Sequence, residues 1–184
     1  MANGILIKNQ VAAADNRALN RSAVAGSSVD INNGSVFHLP SVVSASAGYK
    51  EVWNTQVIST DADDLKNLWM ACGKENVVTT SGTSKYRGID PDVRNFTNLG
   101  GDVFDAFKPQ VGDIITLSAD ALGGSPSTGD YVASGSSAYT MSWTATSSAS
   151  SLTFYLLEET YISLATGGID NQRVLAYRLE CVNN

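Results

Sequence analysis

RVLAYRLECV, residues 173–182, places Leu175, Tyr177, Leu179 and Cys181 on one side of an extended chain and Val174, Ala176, Arg178 and Glu180 on the other. Successive side chains of a strand point to opposite faces, so this alternation predicts a half-buried strand. Burying a large apolar side chain contributes about 1.5–3 kcal/mol. A slip of one residue would move all four to solvent, so the register is strongly specified. Two runs upstream read the same way. AYTMSWTA (138–145) alternates Tyr139, Met141 and Trp143 with Thr140, Ser142 and Thr144, and LTFYLLEETYISL (152–164) is apolar on both faces at its start. Short Gly- and Ser-rich segments separate the three runs, which predicts an antiparallel meander.

Working outward, VGDIITLSADALGG (111–124) is a strand with Ile115 and Leu117 on one face, and GGSPSTGD (123–130) is a loop. SVFHLPSVVSAS (35–46) and YKEVWNTQVIS (49–59) are strand-like, and NLWMAC (67–72) reads as a buried strand running into NVVTTSG (76–82). Asp102 to Phe107 reads as one helical turn stopped by Pro109. NNG (32–34) marks a turn. The first 35 residues, rich in Ala, Asn and Ser, hold Ile5 to Ile7 as their one strongly apolar cluster and bury too little to order themselves. The expectation is a mostly β protein: one antiparallel β-sandwich or open barrel over 36–184, with an extended N-terminal arm over 1–35.

The chain has 184 residues and a net charge of −6, unevenly spread. Lys8, Arg17 and Arg21 against Asp15 leave the first 29 residues at +2 and the remainder at −8. An acidic body does not attract phosphate, which argues against nucleic acid as a partner. A basic segment on an acidic body can reach an acidic neighbour, including a second copy. No run approaches the roughly 18 apolar residues of a membrane span, and the opening MANGILIKNQ lacks a signal-peptide pattern. Cys72 and Cys181 read as two buried thiols.

Chemistry finds little support in these residues. His38 is the sole histidine, and no nucleophile motif accompanies it. One His and two distant Cys do not make a zinc site, and DADD (61–64) lacks the glycine and closing glutamate of a calcium loop. Glu158 and Glu159 are adjacent on a strand, so they face opposite ways and cannot flank one glycosidic bond. The charged stretch KYRGIDPDVRNF (85–96) offers Asp90 and Asp92, but Arg87 and Arg94 stand close enough to pair with them and depress their pKa values, which spoils either as a general acid. The reading is a charged turn in a protein that is not an enzyme, with no metal and no cofactor. Trp53, beside Lys50 and Glu51, is a candidate for an interface.

LWMACGKENVVTTSGTSKYRGIDPDVRNFTNLGGDVFDAFKPQVGDIITLSADALGG (68–124), YISLATGGIDNQRVLAYRLECV (161–182) and the MANGILIKN start together resemble small virion proteins encoded near the major capsid gene of tailed bacteriophages, the auxiliary head proteins called decoration or cement proteins. The resemblance implies a protein made in the bacterial cytoplasm that ends on the capsid surface, binds the major capsid protein of the expanded shell, assembles in many copies with itself, and brings no catalytic residues. Under that reading the capsid or subunit interface would be formed by Ile5, Ile7, Lys8, Arg17, Arg21 and Trp53, with Tyr86, Arg87, Asp90, Asp92 and Arg94 of the charged stretch. The N-terminal arm would add a strand to a sheet edge of a neighbour. The alternatives are another virion subunit such as a tail-tube protein, and a glycan-binding surface protein.

Overall fold

The computed structural model describes residues 3–44, 51–58, 67–75, 78–81, 84–87, 92–126, 130–135, 139–147, 151–164 and 172–184. The protein is mostly β, and the helical pieces among the described residues are three-residue 3-10 turns. The strands are β1 (Leu6–Gln10), β2 (Asn20–Val24), β3 (Val36–Val42), β4 (Val52–Gln56), β5 (Trp69–Ala71), β6 (Val78–Ser81), β7 (Ser84–Arg87), β8 (Val103–Phe107), β9 (Ile114–Ser118), β10 (Leu122–Gly123), β11 (Tyr131–Ser134), β12 (Met141–Thr144), β13 (Thr153–Leu164) and β14 (Gln172–Asn183). They form a seven-stranded sheet in the order β1-β9-β14-β13-β11-β12-β10, a closed barrel in the order β2-β4-β3-β5-β8, and the separate β6–β7 pair.

Period-two alternation in the barrel strands builds two cores at once. Phe37, Leu39, Trp69, Ala71, Phe104, Ala106 and Ala23 fill the barrel. Their sequence neighbours Val36, Met70 and Phe107 belong instead to the core shared with Ile115, Leu117, Tyr177, Leu179 and Cys181 of the sheet. The barrel wall is therefore apolar on the side that meets the sheet. Inside the barrel large residues face small ones, as the limited interior of a small barrel requires. Ala23 pairs in register with Phe104, and the Phe104 ring meets Phe37 edge-on with centroids 5.9 Å apart. Pro40, which has no N–H to give, lies where the β3–β4 register shifts between His38 and Ser41.

A buried amide node fastens the barrel's connections. The Asn98 Nδ2 donates to the Ile31 carbonyl at 2.8 Å and to Asn33 Oδ1 at 3.1 Å, and Asn33 Nδ2 donates to the Gly73 carbonyl at 2.9 Å. A Cβ at residue 73 would lie 1.9 Å from Asn98 Oδ1, so only glycine fits there. The NNG turn forms as expected: Ser35 N–H donates to the Asn32 carbonyl, and Gly34 takes φ +84°.

The last strand has the register its alternation predicts. Tyr177, Leu179 and Cys181 are buried, and β14 pairs antiparallel with β13. Three other expectations are corrected. The meander fails between β12 and β13, because β11 lies between them and pairs with both. Residues 103–107 form a strand, since Phe104 and Ala106 must both enter the barrel, a period of two that a helical turn cannot supply. The third correction concerns the N-terminal residues, whose strands are not an extended arm. β1 pairs with β9, β2 closes the barrel between β4 and β8, and Ala12 N–H donates to the buried Asp113 carboxylate at 2.8 Å. The physical reason is size matching. Ala13, Ala23 and Ala25 contribute little apolar area of their own, yet they are fully enclosed because larger partners close over them.

Candidate interface surfaces

Three residues expected at an interface converge at one end of the barrel. Arg21 shares its side of β2 with Ala23, so its side chain lies at the barrel's mouth. There its guanidinium carbon sits 3.8 Å from the Trp53 ring centroid and 4.7 Å from that of Trp69. Stacking on two indoles fixes the planar cation at this end of the barrel. Lys8, on β1, reaches across toward the same region; its Nζ lies 3.7 Å from Cys72 Sγ and 5.6 Å from the centroid of Phe107. Two recesses meet along Asn20, Arg21 and Ser22. One, of about 310 Å³, is completed by Lys8, Cys72 and Asp105, and the other, of about 460 Å³, by Glu51 and Trp53. The joined groove carries two cations and two carboxylates. That balance suits a polar protein surface bearing both signs better than a free anion.

Nothing local in the sequence joins these residues, because β1, β2, β4 and β5 bring them from separate segments. Trp69 was readable as a core residue, and it is one at 7% exposure, but its second role as a plate for Arg21 comes only from barrel closure. Burial pushes the Cys72 thiol above its ordinary pKa, and the Lys8 ammonium opposes that shift in part. Cys181 is pushed up to about 12 by burial. Both thiols are therefore held protonated at neutral pH.

The remaining expected residues scatter. Ile5 is buried at 3% exposure and serves the core rather than an interface; this corrects its assignment, and its cause is the pairing of β1 with β9 that draws the preceding residue inward. Ile7, one position inside β1, is exposed on the outer face of the sheet. Arg17 is exposed in a 3-10 turn capped by Asn16, whose Oδ1 accepts from Ala18 N–H. Tyr86 and Arg87 lie on β7, opposite Thr79 and Val78, and Asp90 lies outside the described residues. Asp92 and Arg94 form a local brace. The Arg94 Nη2 donates to Asp92 Oδ2 at 2.6 Å, its Nε to Asp92 Oδ1 at 2.9 Å, and its backbone N–H to the same Oδ1 at 3.0 Å. These bonds hold the Asp92 carboxyl below the usual carboxylate range. Asn3 N–H then donates to the Arg94 carbonyl, tying the charged stretch to the residues before β1.

Among the described residues no group of three or more His, Cys, Asp or Glu is placed to hold a metal ion, and no helix is long and apolar enough to cross a membrane. No protein-family model matches the chain, and comparison with curated proteins and with solved structures returns no similar one.

Proposed function

We propose that the chain is a virion structural protein that binds the outside of the expanded phage capsid and stabilises it. The observation that carries this reading is the groove at the barrel's mouth, where Arg21 stacks on two indoles and Lys8 stands alongside. Arginine and tryptophan held rigidly in this way are the residues that concentrate binding energy at protein interfaces. The sequence resemblance to auxiliary head proteins supplies the partner, the major capsid protein, and the closed barrel packed on a sheet supplies a rigid body. A protein that binds only the mature lattice stabilises it by its binding free energy at every site it fills. One feature favours the second reading, a ring-forming virion subunit such as a tail-tube protein: β13 and β14 run well beyond the strands that flank them.

Mixing the purified chain with empty expanded shells of its capsid protein, followed by imaging, tests the proposal. The chain should coat the shell's exterior in regular array. Arg21→Ala and Trp53→Ala should each weaken coating about tenfold or more, the range of an interface anchor. Bare shells, together with signal on a glycan array, would replace the proposal with the glycan-binding reading.

A further inference from the structure

Two lengths of strand in the seven-stranded sheet, one on β1 and one on β13, stand open and match. Among the described residues β1 pairs only with β9, and four of its five residues are exposed. β13 and β14 are twelve residues long each, but β11 covers β13 only over Thr153–Tyr155 and β9 covers β14 only over Ala176–Glu180. The Leu156 N–H still donates to the Asp130 carbonyl just before β11, so among the described residues the open edge of β13 runs from Leu157 to Leu164 on the side away from β14. That length of β13 also exposes Leu157 at 41% and Tyr161 at 56%. A two-stranded ribbon standing alone in water is marginal, and an open edge of this length is a template for another strand.

We infer that the open edge of β13 receives β1 of a second copy, joining copies head to tail through one continuous sheet. This rests on the reading of the chain as a protein that works in many copies. Strand direction permits it. β1, β9, β14 and β13 alternate in direction, so β13 runs opposite to β1, and a copy displaced sideways presents its β1 antiparallel to β13 with the same face toward its core. Register permits it as well. Within one copy Leu6 is level with Glu159 through Leu117 and Tyr177. Sliding the incoming strand two residues toward Leu164 clears Tyr155, the last residue that β11 occupies. It sets Lys8 opposite Glu159 and Leu6 opposite Tyr161, on one face.

Charge selects this pairing over its reverse. Lys8 is the only ionisable side chain on β1, while the open part of β13 carries Glu158 and Glu159 and no cation. Glu158 is paired with Arg178 at 3.1 Å, whereas Glu159 has no ion pair among the described residues. Two copies meeting β13 to β13 would set glutamates against one another, and opposed like charges on paired strands destabilise. The contact is heterologous, so it closes a ring or runs on as a file of subunits according to the rotation between copies.

The test is self-association of the full chain without shells, by sedimentation across concentration, for wild type, Lys8→Glu, Glu159→Lys and the double reversal. Wild type should associate, each single reversal should weaken association about tenfold or more, and the double should recover it, the range of a coupled charge pair at an interface. Hydrogen exchange on the wild-type chain gives a second readout that needs no variant: amides of 6–10 and 157–164 should gain protection as concentration rises. A wild-type chain that stays monomeric to about 1 mM, the weak end of specific affinity, overturns the inference. So does association indifferent to the reversals, a double that fails to recover, or protection gained only elsewhere. Self-association of this kind beside bare shells would keep the inference and remove the shell-binding proposal; shells coated by strict monomers would do the opposite.

Discussion

Phe107→Ala should destabilise the protein by about 3–5 kcal/mol, the cost of emptying a buried phenylalanine site. At roughly 2–4 °C per kcal/mol for a chain of this size, the thermal midpoint should fall by about 6–20 °C. Phe107 has no exposed surface and sits where the two halves meet. Its strand β8 pairs with β2 and β5 to close the barrel, while its side chain joins Leu117, Leu179 and Cys181 in the core beneath the sheet. Its loss therefore empties the junction rather than one half. Unfolding in urea by circular dichroism and tryptophan fluorescence would measure the cost. A loss under about 1 kcal/mol, below any fully buried Phe deletion, would mean that barrel and sheet do not share this core.

Alkaline pH should also unload the fold, through Cys181. Its thiol is pushed up to about 12 in the folded protein against 9.0 for an ordinary thiol. Burial is the main cause, opposed by a hydrogen bond with Asn183. A group whose folded pKa is raised contributes its stabilisation below the unfolded pKa and loses it as pH climbs through the folded one. Between about pH 9 and 12 the unfolded chain gives up a proton that the folded chain keeps. Stability should therefore fall by about 1.4 kcal/mol per pH unit over that window from this residue alone, on the order of 4 kcal/mol in total. Tyr177, raised by burial and by the nearby charge of Glu159, shifts in the same direction. Cys181→Ala should flatten the alkaline limb of a stability-against-pH curve while costing some stability at neutral pH. Parallel limbs for the two proteins would show that the thiol is not held protonated by burial.

The legible part of the fold was the part whose pattern is made of large residues. Leu175, Tyr177, Leu179 and Cys181 announce β14, and Ile115 with Leu117 announces β9; both strands stand where the alternation puts them. β2 gave no such signal. Its inward positions are Arg21 and Ala23, one a cation stacked on indoles and the other a small residue facing Phe104, so the strand looks polar although the barrel depends on it. The order of the C-terminal strands was equally hidden, because Tyr131–Ser134 is too short to announce that it inserts between β12 and β13. For the candidate site, the charged residues could be named singly, yet their grouping could not. Lys8, Arg21 and Trp53 meet because the barrel closes and β1 lies on the sheet beside it, while Ile5, of the same apolar cluster as Ile7, turns into the core. The Asp92–Arg94 brace was readable because its partners are two residues apart.

The most direct measurement is the heat stability of empty expanded shells with and without the chain, followed by calorimetry at rising chain concentration. Binding restricted to the mature lattice adds RT ln(1 + [L]/Kd), about 2.7 kcal/mol per site at a hundredfold excess over Kd. The shell transition should climb with concentration and level off as the sites fill, with Arg21→Ala displaced to higher concentration. A shell transition that stays in place at saturating chain would contradict the proposal.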